Sequence, residues 1–278
     1  MTRQPSFRLE IAQQVRRMFA DPGGAPAVRP APQGERLLPR GSVAFDVHAD
    51  VTTMMAGGIA ALLLQMLHPH ALAGVWDFSN FRKDMAGRLR RTAAFIAVTT
   101  FGHRNEAEAA IARVNRIHAR VAGTLPDGTP YRATAPELLA FVGVTEALSF
   151  LAAWRRYRAP AMPMATQDRY FAEMADIARR LGASPMPETR AAAEAFLEAS
   201  RPALATDART REVARLILEA PPPSPSFAVA HRLLLAAGVD LLPAWARAMH
   251  GLPAPPAPLV RAGTGGMGAL LRWALAPA

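Results

Sequence analysis

The segment NRIHARV (115–121) sets a single histidine, His118, into a stretch with helical spacing. In a helix over 104–122, Ala107, Ala110, Ile111, Val114 and Val121 form an apolar stripe, and His118 falls on it. Arg113, Arg116 and Arg120 occupy another face, where water can hold them. An inward imidazole needs a partner, because an unsatisfied buried polar group costs about 1–3 kcal/mol. A backbone carbonyl or a hydroxyl would serve, and so would a metal ion. The preceding segment, GRLRRTAAFIAVTT (87–100), repeats Arg88, Thr92, Phe95 and Thr99 along one helical face. An arginine and a threonine one turn apart beside an aromatic ring can line a polar pocket that suits an anion such as a carboxylate. Equally, Arg88 can pair with Asp84, its i−4 neighbour, at the surface.

Other candidates carry weaker signals. His68 and His70 straddle Pro69 and, two residues apart, share no helical face; capping or a structural hydrogen bond is the expectation for His68. Glu146 interrupts an otherwise apolar helix and reads either as a pocket acid with a raised pKa or as an acid that reaches solvent or an arginine. The run Gly263-Thr-Gly265-Gly-Met-Gly268 matches a dinucleotide fingerprint, but prolines precede it where a strand is required and no acidic residue follows, so it reads as a flexible C-terminal turn. There is no Walker loop, HExxH, GxSxG or Glu-x-x-His, and no cysteine, which excludes disulfides, thiolate haem ligands and a cysteine nucleophile.

The elements that must position these residues are helices. Hydrophobic residues make up 51% of the 278, with Ala and Leu dominating, so the chain can bury a core and favours helix over strand. A short amphipathic helix is predicted within 1–20 and a Pro/Gly-rich arm over 21–41. Helices are then predicted at 50–67, 85–101, 104–122, from a capping box at Thr134–Glu137 to Tyr157, and at 166–182, 188–201, 207–219, 226–238, 243–250 and 265–275. LPDG (125–128) predicts a turn. The reading is all-α, with an arm at 1–41, a helical domain at 42–262 and a tail helix at 263–278.

The net charge of +10 invites nucleic acid, yet Lys83 is the single lysine among 32 basic residues and the arginines form no run or motif, so no nucleic-acid partner is expected. The paired arginines in VRRMFADPGG (15–24) lack the apolar segment that a twin-arginine signal needs, and GGIAALLLQML (57–67) is too short to span a bilayer. A cytoplasmic protein with no membrane span is expected.

The order LLLQMLHPHALAGVWDFSNFRKDMAGRLRRTAAF, RVNRIHARV, LPDGTPYRATAPELLAF, DRYFAEM (168–174), SRPAL (200–204), EVARLIL (212–218) and LLPAWARAMHGL (241–252) resembles the family of latex-clearing proteins (rubber oxygenases) and the fungal mycophenolic-acid-pathway oxygenase. The likeness covers roughly residues 42–262. It implies a globin-like all-α domain around a buried b-type haem, with His118 as the proximal iron ligand and with Arg88 and Thr92 as pocket-lining and catalytic residues. An oxygenase acting with O2 on an apolar small molecule, alkenes among the candidates, is the activity it implies. A haem sensor or carrier without turnover, and a cofactor-free scaffold, are the alternatives. Two departures stand out. Arg91 replaces the lysine that rubber oxygenases place before the motif threonine to close the iron's sixth position. The chain also has no glutamate between Gln65 and Glu106, where those enzymes carry a distal acid. An open or water-occupied distal position, and a substrate other than rubber, are the expectations.

Overall fold

The computed structural model describes residues 30–276 together with Arg8 and Ala12; the helix expected within 1–20 and the paired arginines lie otherwise outside the described residues. Twelve α-helices and one two-stranded hairpin follow residue 42, so the fold is all-α. In chain order the helices are α1 Val43–Ala49, α2 Val51–Gln65, α3 Pro69–Phe78, α4 Met85–Phe101, α5 Arg104–His118, α6 Pro136–Tyr157, α7 Met164–Arg180, α8 Arg190–Ser200, α9 Ala208–Leu218, α10 Ala228–Leu241, α11 Ala244–His250 and α12 Ala257–Leu275. Between α5 and α6, β1 (Ala122–Thr124) and β2 (Pro130–Arg132) pair antiparallel across the LPDG turn. Gly128 at φ 90° supplies the left-handed residue of that turn.

The centre of the molecule is α2 packed against α6. α2 is apolar nearly all round and is enclosed by α6, α10 and α12. Two glycines allow that crowding: a Cβ on Gly57 would sit 2.8 Å from the Phe150 ring, and one on Gly238 would sit 2.4 Å from Ile59. Asp50 caps α2 through Thr53 N–H at 2.9 Å and also accepts Arg272 of α12 at 2.8 Å.

Several expectations are corrected. His68-Pro-His70 ends α2 but also begins α3: His68 Nδ1 accepts from His70 N–H at 3.3 Å and Pro69 takes the first helical position. This is the capping role expected of His68. Thr134 is not the cap of α6; Ala135 is, with no side-chain bond, because Pro136 at the first position holds the residue before it extended. The glycine-rich run is not a flexible turn but the middle of α12, where Gly263 lies against Leu233 and Gly268 close to Thr52. The expectation of no span-length apolar segment also falls. α6 is long and apolar enough, by length and composition, to cross a membrane, although 61% of its most apolar window is buried inside the protein. A search for uninterrupted apolar runs passes over it because Glu146, Arg155 and Arg156 punctuate it.

Candidate functional site

α4 and α5 form a helical hairpin joined at Gly102–His103. Asp84 caps α4 by accepting Gly87 N–H at 2.7 Å, and Gly102 ends it. The buried segment Leu37–Leu38 and Arg36, bridged to His103, brace the joined end. Arg88 lies 14 residues before Gly102 and His118 lies 15 after His103, so an antiparallel hairpin brings both to its far end. That end rests on α3. Arg88 Nη1 donates to Ser79 Oγ, just past the end of α3, at 2.9 Å, and Val121 packs beside Gly74. Tyr131 of the strand hairpin ties down the same helix by donating to Asp77 at 2.5 Å.

The apolar stripe of α5 behaves as its spacing predicts. Ala107 and Ile111 are buried, Val114 is half-buried, and Arg113, Arg116 and Arg120 are exposed. His118, the last residue of the helix, is half-buried, with Nδ1 sealed from solvent and without a hydrogen-bond partner. His250 also has a sealed Nδ1, but its Nε2 bonds the Leu63 carbonyl at 2.8 Å. Among the described histidines, His118 is the one with a sealed ring nitrogen and no hydrogen bond to its ring. Burial lowers its pKa, which keeps the ring neutral at neutral pH.

On α4, Arg88 is half-buried and makes no ion pair among the described residues. Asp84 is engaged instead by Arg91 at 3.4 Å, so the surface pairing expected as the alternative for Arg88 belongs to its neighbour. Burial first, then the Arg91 charge, pushes the Arg88 guanidinium below the usual arginine range. A desolvated cation without a counter-charge is an anion site. Thr92 is exposed and its hydroxyl donates to the Arg88 carbonyl at 3.2 Å; Thr99, further along the stripe, is buried and bonds the Phe95 carbonyl. Phe95 packs against the core cluster that contains Val144, Ala147 and Tyr170. The stripe therefore runs from a partly open polar end to the protein interior.

Two small cavities, about 170 and 130 Å3, lie elsewhere: one between the start of α2 and α12, the other at the start of α1. Both are below the roughly 300 Å3 at which small-molecule pockets begin, so the chemistry of the side chains, not cavity size, marks the hairpin end. No cluster of three or more His, Asp or Glu able to hold a metal occurs among the described residues, so a metal here would have to arrive with most of its own ligands.

Residues 45–273 match the family described as ER-bound oxygenase mpaB/B'/Rubber oxygenase, catalytic domain. The chain belongs to that oxygenase family. The match spans α1 to α12 almost completely and includes every candidate named above. No curated protein and no solved structure matches the chain. The sequence reading missed Ser79, which has no motif of its own and is found by Arg88 only once α3 and α4 fold back on each other. It also passed over His48, Thr100 and Tyr170, a buried set joined by hydrogen bonds from three different helices.

Proposed function

We propose that this oxygenase is haem b-dependent and acts with O2 on an apolar organic substrate. The observation that carries the reading is His118: neutral, half-buried, with one ring nitrogen sealed and neither nitrogen bonded. Nε2 is not sealed, so it is the nitrogen that a group from outside the chain can reach, and a neutral imidazole is the form that binds iron. A second protein group supports the reading, since a haem propionate is a carboxylate and Arg88 is a half-buried guanidinium that lacks one. The donor set therefore fits the group: His118 would hold the iron, and Arg88, fixed by Ser79, would hold a propionate. Bound haem would supply a redox-active iron for chemistry with O2.

The remaining residues set the surroundings. Arg91 is exposed and paired with Asp84, and a guanidinium would not coordinate an iron in the way a lysine could. Phe95 carries the stripe from the polar end into apolar packing, which suits an apolar substrate.

Haem-supplemented protein is expected to show a Soret band that His118→Ala removes or shifts. A colourless preparation after supplementation would overturn the haem reading. O2 uptake with alkenes or terpenoids separates turnover from carriage: reversible gas binding alone would make the protein a carrier.

A further inference from the structure

His118 and Arg88 stand on different helices, and among the described residues no hydrogen bond joins 85–92 to 114–121. What relates the two is α3. On one side, the chain leaves α5 through a turn in which Val121 N–H donates to the His118 carbonyl at 3.0 Å. Val121 is buried with Ala73, Leu125 and Tyr131, and it faces Gly74 of α3, where a Cβ would sit 3.4 Å from Val121 Cγ1. The strand hairpin then returns: Ala133 N–H donates to the Val121 carbonyl at 2.9 Å, and Tyr131 stands opposite Gly123. The phenol crosses the space a side chain at Gly123 would fill, since a Cβ there would sit 2.9 Å from the Tyr131 hydroxyl. That hydroxyl donates to Asp77 Oδ2 of α3 at 2.5 Å. On the other side, two residues beyond Asp77, Ser79 Oγ accepts Arg88 Nη1 at 2.9 Å. α3 is itself fixed. Leu72 is buried in the core cluster of Leu63 and Phe141, and the Trp76 ring lies 3.6 Å from the Arg82 guanidinium, which Glu212 of α9 holds at 3.1 Å.

We propose that Tyr131, acting through Asp77, is a positioning residue that sets the span between the His118 imidazole and the Arg88 guanidinium. The lever arms are short: three residues from His118 to Val121, and two from Asp77 to Ser79. The apolar contact of Val121 with Gly74 holds the hairpin against α3 but has no direction, so alone it permits sliding along the helix. The bond from a phenol to a carboxylate is directional and charge-assisted, and it fixes the register. Tyr131 is 2% exposed, so little water reaches its side of the bond to compete. With the register fixed, the end of α5 and the hydroxyl that holds Arg88 refer to the same few residues of α3. A ligand that presents iron to one group and a carboxylate to the other has a fixed span, and drift between the helix ends weakens both contacts together. That consequence rests on the proposed function; the coupling through α3 does not.

The test has a haem-free arm and a haem arm, both on the full chain. The chain has no cysteine, so Phe78→Cys and Ile117→Cys, at positions 52% and 51% exposed, take spin labels beside Ser79 and His118 alone. Dipolar EPR without haem should give one narrow label-to-label distance. The distribution should broaden in Tyr131→Phe and in Asp77→Leu, but not in Asp77→Asn, which keeps an oxygen to accept the phenol. In haem titrations of the unlabelled chain, Tyr131→Phe should weaken binding about tenfold. Combined with Arg88→Ala, the two losses should fall short of multiplying, because both act through one contact. An unchanged distribution in Tyr131→Phe and Asp77→Leu, or losses that multiply in full, would overturn the positioning role. Circular dichroism shows whether each variant folds, and Asp77→Leu, at an exposed position, carries the test should Tyr131→Phe fail to fold. Broadened distances in a chain that takes up no haem would uphold the coupling and remove the haem reading, so the two fail separately.

Discussion

Two arginine environments in this molecule contrast sharply. Where α6, α10 and α12 meet, the buried carboxylate of Asp240 receives Arg156 at 2.7 Å and Arg261 at 2.9 Å, so one acid holds two cations. At the end of the α4–α5 hairpin, Arg88 has a serine hydroxyl and no carboxylate, and His118 has nothing. The Asp240 carboxylate is matched within the chain, whereas Arg88 lacks a carboxylate and the His118 ring lacks any hydrogen bond among the described residues. Unpaired groups of opposite preference, a neutral imidazole and a desolvated cation, on adjacent helices are what separates a site from a brace.

The largest change should come from breaking the brace. Asp240→Ala strands two guanidiniums, both partly exposed, and should cost about 3 kcal/mol of unfolding free energy while leaving haem uptake unchanged. Urea denaturation beside a haem titration checks both halves. Next is Glu146, whose folded pKa burial raises to about 7 from its ordinary 4.5. Its neutral form is favoured in the folded state, so its contribution is full below pH 4.5 and is lost as pH rises through 7. Glu146→Gln should therefore stabilise the protein at pH 8 by at most about 3 kcal/mol and change little at pH 4. A parallel gain at both pH values would contradict the burial argument. At the hairpin end the same kind of truncation should read out in binding instead. Arg88→Ala should weaken haem binding about tenfold, roughly 1.4 kcal/mol, yet leave stability within about 0.5 kcal/mol. A stability loss comparable to that of Asp240→Ala would make Arg88 a brace after all. Smallest of all, Thr92→Val removes an exposed hydroxyl already turned onto its own helix, and thermal unfolding should shift by less than the equivalent of about 0.5 kcal/mol.

Much of this was legible in the chain because it is periodic. α4 runs over the residues its spacing predicts, and the stripe on α5 points inward as read. Two helices were not legible, α1 and α3, although α11, no longer than either, was; His68-Pro-His70 reads as a stop although it is also a start. Glycines misled at α12, where tertiary packing against Leu233 overrides their poor helix propensity.

The sequence by itself determined the helical class, the family, and the presence of an inward histidine with an arginine and threonine on the preceding helix, since all of these rest on order and spacing along one strand of chain. Only the tertiary structure decided which of those groups stay unpaired. Asp84 went to Arg91 and not to Arg88, Ser79 was delivered by the fold of α3, and His48, Thr100 and Tyr170 met from three helices. Hydrogen-bond satisfaction is a property of atoms brought together across long stretches of sequence, and no local pattern encodes it.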